Sequence, residues 1–260
     1  MKIEQISSVT LREKVYAQLK QKIISAEILP GEVMTLQGLA DGFGVSLMPV
    51  REALRQLQSE RVIVIESNKR IYVNALTARE VEEILRVRLV LETMAAKAAC
   101  RLRSEDAVAR TKRDLEAMEA NLAHPPEYMR ANSQFHFGIY GEAGSAVLLQ
   151  LIDSLWARVG PYFVISSNED QNHQAMRLHR GMWTAFAAKD AARMTVCLQG
   201  DLRRAGGIIM SLLQNPADDS AVPPSVARRT ERRGGEAAAR RNGTRRRHGG
   251  GSRRIASVVR

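Results

Sequence analysis

The chain has 260 residues, an apolar fraction of 45% and a formal net charge of +11. That length can bury a core in one large or two modest domains. No apolar run is long enough for a signal peptide or a bilayer span, so a cytoplasmic protein with no membrane partner is expected. Cys100 and Cys197 stand alone, without disulfide or zinc-knuckle spacing, and read as buried thiols of a reducing compartment. The charge is unevenly spread. Residues 217–260 hold twelve arginines against Asp218, Asp219, Glu231 and Glu236, which puts +8 in the tail and leaves +3 for the rest. Net charge is therefore poor evidence for a nucleic-acid partner, and pattern has to carry the reading.

In chain order, "LREKVYAQLKQKIISAEIL" places Val15, Leu19, Ile23 and Ile24 on one helical face and stops before Pro30-Gly31. A short helix follows in "TLQGLADGFGV", whose Gly-x-Gly is no phosphate loop because no strand precedes it. The next helix has Val50, Ala53, Leu54 and Leu57 on one face. Ser46 is its N-cap candidate, and Leu47, Met48 and Pro49 fill its first turn. There the N–H groups have no intrahelical acceptor, so proline costs nothing and marks a start. "RVIVIES" and "RIYVNAL" are β-branched runs parted by a polar "NK", a hairpin signal. Helix, helix, turn, helix, hairpin is the order of a winged helix-turn-helix.

From Thr77 onward every segment has the helical period. "AREVEEILRVRLVLETMAAKAACRL" leads into "SEDAVARTKRDLEAMEANLAH", capped by Ser104, and Pro125-Pro126 closes that pair. Helices are expected over about 127–140, 145–159 and 171–188, then from an Asp190 cap to about 213. Short connections between amphipathic helices imply an antiparallel all-α bundle. After Pro216 the apolar period ends. The Arg-rich tail is expected to be disordered and to add at most nonspecific phosphate affinity. The expected division is 9–76 for the winged domain, 77–215 for the helical domain and 216–260 for the tail.

Polar residues on apolar helix faces mark the candidate site. Asn132 and His136 lie one turn apart in a stripe with Tyr128, Phe135, Ile139 and Tyr140. His179 shares a face with Met176, Trp183 and Phe186, and Asp201 with Met194, Leu198, Ala205 and Ile208. Two imidazoles, a carboxylate and an amide form a nitrogen and oxygen set suited to Zn²⁺, Ni²⁺, Mn²⁺ or Fe²⁺. Each residue alone is more often a hydrogen-bonded core residue. Arg88 and Glu92, also one turn apart, read first as a partly buried ion pair and second as a site where Arg88 grips a small carboxylate.

The stretch from Leu11 to Ile63, with "PVREALRQL" at 49–57 as its specific signature, resembles the winged helix-turn-helix of the GntR family of bacterial transcription regulators. "EEILRVRLVLE", "NSQFHFGIY" and the interval from His179 to Asp201 resemble the ligand-binding FCD domain of the FadR-type branch. The likeness spans about residues 9–213. It implies a homodimer on a palindromic double-stranded DNA operator, with a small carboxylate effector bound in the helical domain, often against a metal held by one aspartate and three histidines. Carried onto this chain, the DNA contacts are Arg12, Gln37, Ser46, Leu47, Arg51, Lys69 and Arg70, and the effector or metal residues are Arg88, Asn132, His136, His179 and Asp201. Asn132 stands where the family has Asp, and Asp201 where it has the final His. Leu47-Met48 replaces the usual Arg-Thr, and Leu47 cannot hydrogen-bond a guanine edge. The expected function is a metabolite-responsive regulator, acting as a repressor and not as an enzyme. A metal-dependent helical-bundle enzyme and an effector-free dimeric DNA-binding module are the alternatives.

Overall fold

The computed structural model describes residues 10–214. The Arg-rich segment 216–260 and residue 9 lie outside the described residues. Helix α1 (Leu11–Ile24) opens on a capping box in which Thr10 and Glu13 satisfy each other's backbone N–H groups. Strand β1 (Val33–Met34) precedes α2 (Leu36–Phe43), which ends at Gly44 in the left-handed region (φ 64°), the conformation that turns the chain into α3 (Leu47–Ser59). Strands β2 (Ile63–Ile65) and β3 (Ile71–Val73) form the wing. The sheet is antiparallel with order β1-β3-β2, so the wing has one strand more than the expected hairpin. Two residues of β1 are too few to show an alternation in sequence. Val15, Leu19, Ile23, Val50, Leu54, Leu57 and Ile71 make the core of this domain.

The helical half comprises α4 (Ala78–Leu102), α5 (Glu105–Ala120), α6 (Pro125–Tyr140), α7 (Ala146–Ser166), α8 (Glu169–Ala187) and α9 (Ala191–Gln214). Thr77, Ser104, Ser145 and Asn168 cap four of them through their side chains, and Asp190 accepts from the Arg193 N–H at the head of α9. Helix α4 packs along α9 and α7, α5 along α6, and α8 against α9. Phe135, Ile139, Tyr140, Ile152, Met182, Phe186, Met194 and Leu198 fill the bundle core.

Three expectations need correction. Pro125-Pro126 occupies the first turn of α6 instead of closing the preceding pair, since its missing N–H groups fall where no acceptor exists. Helix α7 runs on through Pro161 to Ser166, well past the expected end near 159. Burial of Val159, Gly160, Pro161 and Tyr162 against neighbouring elements outweighs the lost backbone hydrogen bond. Cys100 is buried, but Cys197 is only half-buried; both are free.

The two halves are joined tightly. The Leu76 N–H, in the linker, donates to the Tyr162 hydroxyl at 2.7 Å in a buried setting. Ala157 of α7 belongs to the winged-domain core. At Gly160 a Cβ would lie 2.9 Å from the Ile24 side chain, so glycine permits α7 to approach the end of α1. The Lys20 ammonium, 6% exposed, donates to the Tyr16 hydroxyl (2.9 Å), to Glu60 at the end of α3 (3.3 Å) and to Asp153 of α7.

Candidate functional site: a DNA-facing helix and a buried histidine pocket

Helices α2 and α3, hinged at Gly44, form the helix-turn-helix. Val50, Ala53, Leu54 and Leu57 face inward, which leaves Leu47, Met48, Arg51 and Arg55 on the outward side of α3. Gln37, Ser46, Leu47, Met48 and Arg51 line one open groove. Ser46 sits at the N-cap in extended backbone but its side chain makes no capping bond, so both its hydroxyl and the first-turn N–H groups remain free to meet a phosphate. Gln37 is held by Asp41 (2.8 Å). Lys69 and Arg70 lie at the wing tip, where Lys69 takes a left-handed conformation (φ 64°). Arg12 is half-exposed at the head of α1 beside Glu13. Four of the seven expected DNA contacts therefore share a groove, while Arg12, Lys69 and Arg70 lie apart from it along the chain. Met48, 63% exposed, lines the same groove but is not among the expected contacts, since its side chain has no hydrogen-bond donor for a base edge.

In the helical domain the structure brings His136 (α6), His179 (α8) and Asp201 (α9) together, with ligating atoms all within 4.8 Å of one another. The two Nε2 atoms are 3.3 Å apart, and the Asp201 carboxylate lies 3.6 Å from one and 3.5 Å from the other. Arg88 donates from Nε to Glu92 at 2.5 Å, both buried, with its guanidinium 4.8 Å from the Trp156 ring centre. The Tyr140 hydroxyl donates to the other Glu92 oxygen at 2.6 Å and lies 3.0 Å from Nδ1 of His136.

Proton counting fixes one tautomer. A carboxylate facing a guanidinium only accepts, so the single Tyr140 proton goes to Glu92. Burial beside Glu92 pushes the Tyr140 pKa well up, so that proton stays. His136 must then donate from Nδ1 to the Tyr140 oxygen, which leaves its Nε2 bare and facing His179 and Asp201. Burial also holds the His136 pKa well below its ordinary value, with His179 and Arg88 adding to the shift, and burial lowers that of His179. A lowered pKa favours the neutral ring, the form that ligates a metal. Bare imidazole nitrogen and carboxylate oxygen at one point, backed by a histidine–tyrosine–carboxylate relay, are a donor set that fits a divalent cation.

Arg88, Asn132, His179 and Asp201 line a common cavity of about 50 Å³, whereas His136 sits behind it. Several buried polar atoms on that lining lack a partner: the Tyr128 hydroxyl, Asn132 Oδ1, Trp156 Nε1 and Arg204 Nε. An unpaired buried polar atom is costly, and several around one cavity call for a polar ligand or water. Glu92 and Tyr140 turn out to orient His136, and Arg204 adds a second guanidinium to the lining. Arg204 had a signal, being three residues after Asp201; Tyr128 and Trp156 had none, since aromatic rings on a helix stripe read as core.

Residues 11–73 match the family of bacterial regulatory proteins named gntR, and residues 83–204 match the FCD domain. The HTH-type transcriptional regulator McbR of Escherichia coli is 27% identical over 195 residues, 73% of this chain and 88% of that protein. The gluconate operon transcriptional repressor of Bacillus licheniformis is 29% identical, covering 59% of this chain and 63% of that protein. The solved structure of E. coli McbR/YncC superimposes with a TM-score of 0.74 at 25% identity, over 78% of this chain and 99% of that one. Helix-turn-helix, wing and helical bundle stand in the same order in the fold described above. The chain belongs to the GntR family of DNA-binding transcription regulators, in the branch whose second domain is an FCD domain.

Proposed function

We propose that this regulator binds its operator as a cytoplasmic homodimer, acts as a repressor, and is controlled by a small organic acid seated against a divalent cation in the helical domain. The observation that carries the reading is the convergence of His136, His179 and Asp201 on one point beside a cavity lined by two guanidinium groups and unpartnered polar atoms. In this reading His136, His179 and Asp201 hold the cation and Asn132 supplies a weaker oxygen donor. The cation would anchor one end of the acid by polarising its oxygens. Arg88, pinned by Glu92 and Trp156, and Arg204 meet the rest of its charge, while Tyr128 and Asn132 pair with its polar groups. A cavity of about 50 Å³ favours a small ligand.

Helix α7 is the route by which occupancy reaches DNA. Trp156 and Phe163 line the cavity, and Asp153, Ala157 and Gly160 of the same helix bear on α1 and its surroundings. An acid that presses on Trp156 bears on α7, and the Lys20 bridge links α7 to α1 and to the end of α3. Val87, Val90 and Met94 leave an apolar stripe exposed along α4, which supports pairing with a second copy.

The test is metal analysis of the purified protein with operator titration of wild type and the His136→Ala/His179→Ala double variant. Bound divalent metal and an acid-dependent change in operator affinity, both lost in the double variant while operator binding persists, are expected. Full response to the acid in the double variant would refute the site.

A further inference from the structure

The outward face of α3 carries two apolar residues at its DNA-facing end. Leu47 and Met48 are 38% and 63% exposed, although Val50, Ala53, Leu54 and Leu57 on the opposite face are fully buried. Leu47 is one turn before Arg51, and Met48 is three residues before it. All three line the same groove with Gln37 and Ser46. The rest of that face is polar or charged: Arg51, Arg55, Gln58 and Ser59 are exposed, and Glu52 holds Arg55 at 2.9 Å. Two apolar side chains exposed at the DNA-facing end of a recognition helix are available to an apolar partner.

The occupant has to be duplex DNA, because the helix-turn-helix presents this end of α3 to the major groove. The edges of A·T, G·C and C·G pairs offer donors and acceptors there, and the one apolar group is the C5-methyl of thymine. Neither Leu47 nor Met48 can donate a hydrogen bond, and placing either against a guanine or cytosine edge would desolvate that edge without compensation. With Leu47 and Met48 at the base edges, the first-turn N–H groups and the wing cations can grip phosphates, which positions the helix but reads no sequence, and Arg51 can reach a phosphate or a base edge.

We propose that Leu47 and Met48 are base-reading residues of this regulator and that they select thymine by its methyl group. The site recognised by one α3 therefore carries thymines, on either strand, at the positions these two side chains face. The methyl contact accounts for the preference and the phosphate contacts for most of the affinity.

The experiment uses the full-length protein and an operator selected from a random duplex pool. Each thymine of the selected site is replaced in turn by uracil, which removes the methyl group and keeps every hydrogen-bonding atom. Burial of one methyl is worth about 0.8 kcal/mol, so uracil at a contacted position should weaken wild-type binding about four-fold at fixed salt. Pairing guanine with 5-methylcytosine there should bind more tightly than pairing it with cytosine, by a similar factor. Leu47→Ala and Met48→Ala, exposed changes that leave the core untouched, should each abolish the uracil effect at one position and leave it at the others. Uracil binding as well as thymine at every position would overturn the proposal. So would alanine variants that weaken all duplexes equally, or that keep the wild-type pattern of uracil sensitivity.

Discussion

Tyr140→Phe removes one oxygen from a side chain that is 1% exposed and changes nothing else in its shape. That oxygen donates to the Glu92 carboxylate at 2.6 Å and accepts from His136 at 3.0 Å. A buried hydrogen bond to a charged group contributes about 1.5–3 kcal/mol and a neutral one about 0.5–1.5 kcal/mol, so the expected loss of stability is roughly 2–4 kcal/mol. No cavity term adds to it, since phenylalanine fills the same volume. The second consequence falls on the pocket. With Tyr140 gone, nothing holds the proton of His136 on Nδ1, and Nε2 is no longer kept bare toward His179 and Asp201. Loss of such an orienting partner lowers metal affinity about 10–100-fold. Urea denaturation of the metal-free protein reads the first effect, and Zn²⁺ titration calorimetry reads the second. A stability change below about 0.5 kcal/mol together with unchanged Zn²⁺ affinity would refute the proton assignment, because an oxygen that mattered to neither neighbour could not have fixed the tautomer.

Three further outcomes are expected. Burial lowers the pKa of His136 and His179 in the folded state, so the unfolded chain binds more protons around pH 6. Stability is then fully present above the ordinary imidazole pKa of about 6.5 and is lost as pH falls below it, by up to about 1.4 kcal/mol per pH unit for each ring. Melting temperatures from pH 8 to 5 check this, and the double alanine variant should show a flatter acid limb. Lys20→Met deletes the bridge from α1 to Glu60 and Asp153, both of which keep some solvent contact, so a loss of about 1–3 kcal/mol is expected in urea denaturation. In operator titrations the same variant should bind DNA but respond less to the acid. Lys189 ends α8 with φ 57°, where its N–H and that of Asp190 bond back to Phe186 and Ala185 in a Schellman arrangement. Lys189→Gly relieves the left-handed strain and should stabilise the protein by about 1 kcal/mol, and an unchanged or lower melting temperature would count against that strain.

Much of this architecture can be read before the structure. The Val50–Leu57 spacing and Pro49 announce the recognition helix, and Ser104, Ser145 and Asp190 announce helix starts, because caps and apolar periods are local properties. Where tertiary contacts decide, sequence reading fails. Pro161 looks like a terminator until Val159 and Tyr162 are seen buried on the linker side and Gly160 against Ile24. In the site, His136, His179 and Asp201 stand out as polar residues on apolar faces. The roles of Glu92 and Tyr140 do not, because an i,i+4 ion pair and an aromatic core residue have the same local pattern whether or not they meet a histidine from another turn. Asn132 was expected to sit with the histidines; it lines the same cavity with its carbonyl oxygen unpartnered.

The most direct test of coupling between the pocket and DNA is the dissociation constant of the full-length protein for its selected operator at fixed salt. It should be measured with Zn²⁺ and a panel of small hydroxy acids and dicarboxylates. Coupling free energies of about 1–3 kcal/mol correspond to changes of about 5–150-fold, so at least one acid should weaken wild-type binding by five-fold or more. The His136→Ala/His179→Ala variant should bind the operator with wild-type affinity and show no response to that acid. Equal affinity with and without every acid in the wild type, or an undiminished response in the double variant, would contradict it.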